Sequence, residues 1–221
     1  MNLKELRSYP VTYLFLVINS LVLLAMFASY GFLQYDSVEA VYQFGGLVGV
    51  IVKELPLTSW RLFSAIFVHI GLMHFASNML SLYLFGRLVE GLYGSWRFFL
   101  IYLMSGLMGN LFVLFFDPRS LSAGASTALF GLMAVLVSQK FLSKIPQLQH
   151  LGQQFTGLLV VNICISFLPG VSLFGHLGGL LGGLLTALIF PLPFYKASKK
   201  DYKPALVLTL YLALALALYF L

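Results

Sequence analysis

Four polar side chains stand in apolar surroundings where each needs either a partner or a function. They are Ser126 in "GASTALFGL", His176 in "GHLGGLLGG", and His74 with Asn78 in "HFASNML". A serine hydroxyl hardly ionises at neutral pH and becomes a nucleophile only beside a base. A neutral imidazole, with a reference pKa near 6.5, suits that role. His74 and Asn78 are spaced i, i+4, so they share a helical face and can offer donors to a developing oxyanion. Ser126 at the start of a helix adds free backbone N–H groups and a favourable dipole. No carboxylate falls in a predicted helix core near His176. The nearest are Asp117, in an outer loop, and Glu90, at the inner end of a helix, so the pattern favours a Ser–His dyad over a triad.

Each residue also has a plainer reading. A serine between Ala125 and Thr127 in a membrane helix is usually a packing residue. His176 among glycines can be structural, and His74 with Asn78 an interhelical hydrogen-bonded pair. His150, near an inner loop, reads as solvated, and Cys164 as a small buried hydrophobe. "GASTA" half-matches the G-x-S-x-G elbow, but no preceding strand and no α/β alternation are expected, so that hydrolase fold is rejected.

The elements that must position these residues are membrane helices. The chain is 60% hydrophobic and 9% charged, with mean hydropathy +0.95. That is far below the ~25% charge of a soluble domain, and the class is an integral, all-α membrane protein. Spans are predicted at 11–33, 71–90, 96–116, 126–140, 154–170, 174–190 and 204–221, the second broken by polar residues and the fourth and sixth short. The first run is too long for a signal-peptide core and reads as a retained helix.

With the N-terminus inside, the inner segments hold ten of the 13 basic residues: Lys4, Arg7, Arg87, Arg97, Lys140, Lys144, Lys196, Lys199, Lys200 and Lys203. The outer ones hold Lys53, Arg61 and Arg119. This bias predicts a cytoplasmic N-terminus and an outer C-terminus, and it accounts for the net charge of +6 without nucleic acid. The even-numbered helices then run from outside to inside, so all four polar residues lie near outer ends. Fourteen residues separate Ser126 from Lys140, a rise of roughly 21 Å. About the same length separates His176 from the helix end before Pro191. Both side chains are therefore expected at one level, about 10 Å below the outer surface of a ~30 Å core. The long outer connection, 35–67, is apolar and aromatic and is expected to lie partly in the interface, with Trp60 and Arg61 anchored at headgroup level.

Taken together, the spaced motifs resemble the rhomboid intramembrane serine proteases over about 60–190. They are Trp60–Arg61, the H-x4-H-x3-N pattern of His69, His74 and Asn78, Glu90 in "GRLVEGLYG", "GASTALFGL" from Gly124, and "GHLGGLLGG". The resemblance implies a rhomboid-like six-helix core plus one C-terminal helix. The layout is a cytoplasmic N-terminus (1–10), a protease core (11–190), a basic cytoplasmic loop (191–203) and a seventh transmembrane helix (204–221). It implies Ser126 as nucleophile and His176 as general base. His74, Asn78 and the Ser126 N–H would form the oxyanion hole. Trp60, Arg61, His69, Glu90, Gly124 and Phe130 would be structural supports. Gly179 and Gly183 form a G-x-x-x-G face that would let the sixth helix approach the fourth. No metal or cofactor is implied. The partners are the lipid bilayer and transmembrane protein substrates, in the cell membrane, with the active site opening outward.

Two residues depart from the family pattern. Thr127 stands where a glycine usually follows the nucleophile, and a β-branched residue there needs a small partner, for which Gly178 and Gly179 are available. Phe130 stands where a tyrosine is common beneath the histidine, so the ring can pack on imidazole without a hydroxyl. The alternative readings are a catalytically inactive relative that binds membrane helices, and a small transporter or haem protein. Transport predicts inverted repeats or charged midplane helices, and none is visible.

Overall fold

Three of the long helices begin at a proline, where the missing N–H costs nothing and φ is already helical. These are α1 (Pro10–Tyr30), α5 (Pro146–Ile165) and α7 (Pro204–Phe220). The others are α2 (Leu72–Tyr93), α3 (Ser95–Phe116), α4 (Ser126–Leu142) and α6 (Leu173–Ile189). The structure, a computed structural model, describes residues 3–193 and 203–221. Most of the predicted basic loop at 191–203, with Lys196, Lys199 and Lys200, lies outside the described residues.

The start of α1 leaves backbone N–H groups without helical acceptors, and α2 supplies them. The Glu90 carboxylate, only 2% exposed, accepts from Val11 N (3.0 Å), Thr12 N (2.8 Å) and Thr12 Oγ1 (2.7 Å). A carboxylate at a helix N-terminus also meets the positive end of its dipole. Glu90 therefore ties α1 to α2.

The core is built on α3, α4 and α6. Twelve residues of α4, from Thr127 to Gln139, are buried. α6 approaches α4 through Gly179 and Gly183. A Cβ on Gly179 would collide with the Thr127 carbonyl, and one on Gly183 with the Gly131 backbone. A second glycine face, Gly178 and Gly182, lies against Met108 and Phe112 of α3. α7 packs outside α3 and α6, with Tyr211 Oη donating to the Met104 carbonyl (2.8 Å).

By length and composition α1 and α3 can cross a membrane, and a bent pair, Pro56–Phe67 with Leu72–Tyr93 at 76°, can form a third span. α4, α6 and α7 have 17 residues each, about 26 Å of rise. That is a few Å less than the thickness of a ~30 Å core.

Several sequence expectations are revised. α5 starts at Pro146, eight residues before the predicted 154, because its first turns are amphipathic rather than uniformly apolar: Leu148, Leu151, Phe155 and Leu159 turn to the core while Gln and His face out. It ends at Ile165, not 170, and α1 ends at Tyr30, not 33. Cys164 is exposed on α5, not buried. The outer connection folds into short helices, Val38–Gln43, Gly49–Glu54 and Arg61–Ser64.

Trp60 is half exposed, but Arg61 is not a headgroup anchor. It is 6% exposed, and its guanidinium donates to the carbonyls of Tyr42 and Gly46 (the latter at 3.0 Å) and lies over the Tyr42 ring. Those carbonyls, turned inward by the loop, need a buried donor, and Arg61 satisfies two at once. A short strand also precedes Ser126 after all. β1 (Leu47–Val48) pairs antiparallel with β2 (Leu121–Ser122). Two residues of ladder do not make an α/β hydrolase sheet, and that fold stays rejected.

Candidate active site

The segment that delivers Ser126 runs from Asp117 to Ala125 and is held at four places by the outer connection and the turn that leads into α2. Val50 N donates to the Pro118 carbonyl (2.8 Å). The β1–β2 bridge pairs Leu47 with Ser122 and Val48 with Leu121. Gly124 N donates to the Ala65 carbonyl (2.8 Å), and Ala125 N to His69 Nε2 (3.4 Å). His69 is buried and sets its ring edge-on to His74 at 5.3 Å. Gly124 has φ +131, and a Cβ there would stand 2.6 Å from His74 Cε1. Only glycine combines that backbone with so close a pass. Ser126 is then the first residue of α4, where its N–H meets no intrahelical carbonyl.

His176 sits one turn into α6, whose first turn is capped by Ser172 Oγ accepting from Gly175 N. Its Nε2 lies 3.0 Å from Ser126 Oγ. The Phe130 ring stacks on the imidazole, with centroids 3.9 Å apart and planes at 12°. Phe130 is one turn along α4 from Ser126, so the same helix presents the hydroxyl and the surface on which the imidazole rests.

Thr127 is received by small residues, though not by the pair expected. Hypothetical Cβ atoms on Gly109 of α3 and Gly175 of α6 would press on its side chain, and Gly179 passes its carbonyl. Gly178 faces α3 instead. The Thr127 hydroxyl is buried and has no hydrogen-bond partner among the described residues.

A cavity of about 610 Å³ opens beside this pair, between α2, α4 and α5. His74 and Asn78 of α2 line it together with Ser126 and His176. Asn78 Nδ2 donates to the His74 carbonyl (2.8 Å), which fixes the amide and leaves its second N–H. The chemistry available is that of a hydroxyl beside an imidazole, facing a cavity with mixed apolar and polar walls, His74 and Asn78 among the polar groups. His150 is exposed, hydrogen-bonded to Gln154, and is not among the residues that line the cavity.

One polar contact has no counterpart among the sequence expectations. Ser166, at the C-cap of α5 and 2% exposed, places Oγ 2.7 Å from His176 Nδ1. The same Oγ is 2.8 Å from the Asn162 carbonyl. A carboxylate is the group that usually marks a third member beside a histidine, and a serine in "CISFLPG" carries no such signal.

The same stretch of chain is shared with known proteins. A family model described as "Rhomboid domain" matches residues 56–192. The chain is 33% identical over 183 residues to "Rhomboid protease GluP" of Bacillus subtilis (strain 168), covering 82% of this chain and 35% of that protein. It is 37% identical over 127 residues to "RHOMBOID-like protein 6, mitochondrial" of Arabidopsis thaliana, covering 55% and 40%. It is 34% identical over 124 residues to "Rhomboid-like protease 3" of Toxoplasma gondii, covering 54% and 47%. The chain thus spans between about a third and a half of the length of these relatives.

Proposed function

Given that the chain belongs to the rhomboid family and is a membrane-embedded protein, we propose that it is a serine endopeptidase that cleaves transmembrane segments of other proteins near the outer membrane face. The observation that carries this reading is the 3.0 Å approach of His176 Nε2 to Ser126 Oγ at the edge of a cavity that His74 and Asn78 also line. His176 takes the hydroxyl proton as Oγ attacks the scissile carbonyl, and later gives it to the leaving amine. The oxyanion is met by the Ser126 N–H and by side-chain donors of His74 and Asn78. Phe130 holds the imidazole plane through the proton transfers.

The backbone of an intact helix is bonded internally and shielded. A substrate must therefore unwind locally, and helix-breaking residues are expected near the cut. Water enters from outside. In this reading the N-terminus is cytoplasmic, residues 11–190 form the protease core with the outer connection as its clamp, and 204–221 is an added seventh span.

The test is incubation of the purified protein, in detergent or liposomes, with single-span model substrates, beside Ser126→Ala and His176→Ala. The wild type is expected to cleave, and each variant to lose on the order of 10³-fold or more in kcat. Equal cleavage by all three, or none by any across many substrates, overturns the reading. In the second case a non-catalytic helix-binding relative becomes the better account.

A further inference from the structure

We infer that Ser166 is a positioning residue that fixes which nitrogen of His176 carries the proton. This inference rests on the reading of Ser126 and His176 as nucleophile and base. Three short contacts form a single line: the Asn162 carbonyl to Ser166 Oγ (2.8 Å), Ser166 Oγ to His176 Nδ1 (2.7 Å), and His176 Nε2 to Ser126 Oγ (3.0 Å). The carbonyl at one end can only accept, and each hydroxyl has one proton to donate.

Only two proton arrangements are open to a neutral imidazole. In the first, Ser166 donates to Asn162 and accepts from Nδ1–H, and Ser126 donates to Nε2. Every contact then holds one proton. In the second, Ser166 donates to Nδ1 and Nε2–H points at Ser126. The Ser166 and Asn162 oxygens would then face each other at 2.8 Å with no proton between them. Ser166 is only 2% exposed, so bulk water has little access with which to relieve that repulsion. The first arrangement is favoured, and it is the one in which Nε2 is free to take the Ser126 proton.

Ser166 does not itself accept the transferred proton. When Nε2 is protonated, the imidazolium keeps its Nδ1–H on the Ser166 oxygen, whose lone pairs face the new charge while its own proton points away. A hydroxyl backed by a helix carbonyl thus stands where the better-known triads place a carboxylate, without burying a second charge. The donor comes from α6, the acceptor from α5 and the nucleophile from α4, so all three helices meet at this imidazole.

The experiment combines a spectroscopic and a kinetic readout on the full chain. Protein labelled with 15N-histidine is examined by long-range proton–nitrogen NMR at pH 8, with His176 assigned by its loss in His176→Ala. Wild type is expected to show Nδ1–H and bare Nε2 at His176. Ser166→Ala is expected to shift this toward the other tautomer and to lower kcat about tenfold, with KM changed less than about twofold. Ser166→Thr, which keeps the hydroxyl, is expected to recover the wild-type tautomer and most of kcat. A wild-type His176 protonated on Nε2 overturns the inference, as does a Ser166→Ala protein with unchanged tautomer and kcat. Absence of cleavage by wild type on every substrate counts against the protease reading, and the tautomer measurement then still decides the role of Ser166.

Discussion

Thr127 shows how a single residue is tuned to its neighbours. It follows Ser126, and its methyl fills space that Gly109 and Gly175 leave open. Its hydroxyl, by contrast, is buried and unpaired among the described residues, an arrangement that costs about 1–3 kcal/mol relative to a satisfied group. The residue is therefore kept for shape. Thr127→Val, which preserves shape and removes the hydroxyl, is expected to leave thermal unfolding in detergent unchanged or raise stability by up to about 1 kcal/mol. Thr127→Gly is expected to lower it by about 1–2 kcal/mol, through lost packing and a glycine within a helix. A destabilised Val variant would mean that the hydroxyl has a partner in the folded protein.

At the scale of elements, the glycines of α6 divide by what they touch. Gly179 and Gly183 let α6 press against the α4 backbone, and that contact brings His176 to Ser126. Gly183→Ala puts a methyl onto the Gly131 backbone and is expected to cost at least about 2 kcal/mol. Activity should fall with it as the helices part. Gly157 on α5 is the control, since it is exposed and a Cβ there meets nothing within 4 Å. Gly157→Ala is expected to be neutral or to stabilise by up to about 1 kcal/mol. Equal effects of the two substitutions on unfolding would show that helix propensity, not close packing, sets the glycine content of α6. The outer connection matters for a similar reason. Arg61 holds the chain at Tyr42 and Gly46, the next residues form β1, and β1 pairs with the loop that leads to Ser126.

For the whole molecule, the excess of lysine and arginine on the segments proposed to lie inside predicts an orientation that labelling can test. Arg119 and Lys144 are both exposed, in the connections that lead into and out of α4. In a Cys164→Ala background, Arg119→Cys is expected to react with a membrane-impermeant thiol reagent on intact cells. Lys144→Cys should react only after the membrane is opened. The reverse pattern would invert the proposed topology and turn the cavity to the cytoplasm.

Much of this protein was legible from residue types and spacing. The helical membrane class follows from 60% hydrophobic and 9% charged residues, because no soluble core can hide that much apolar surface. That Ser126 and His176 lie at one level follows from helix rise, since each lies a similar distance from the C-terminal end of its helix. Local periodicity was enough for these because both depend on one helix at a time. Other features depend on contacts across many intervening residues, which spacing does not encode. Glu90 reaches back to cap α1, Arg61 turns inward to bind loop carbonyls, and two residues at 47–48 find two at 121–122. The third member of the hydrogen-bonded line was hidden most completely. Ser166 lies ten residues before His176 in a stretch without motif or charge. Its hydroxyl acquires a role only because the end of α5 is folded against α6, at hydrogen-bonding distance from Nδ1.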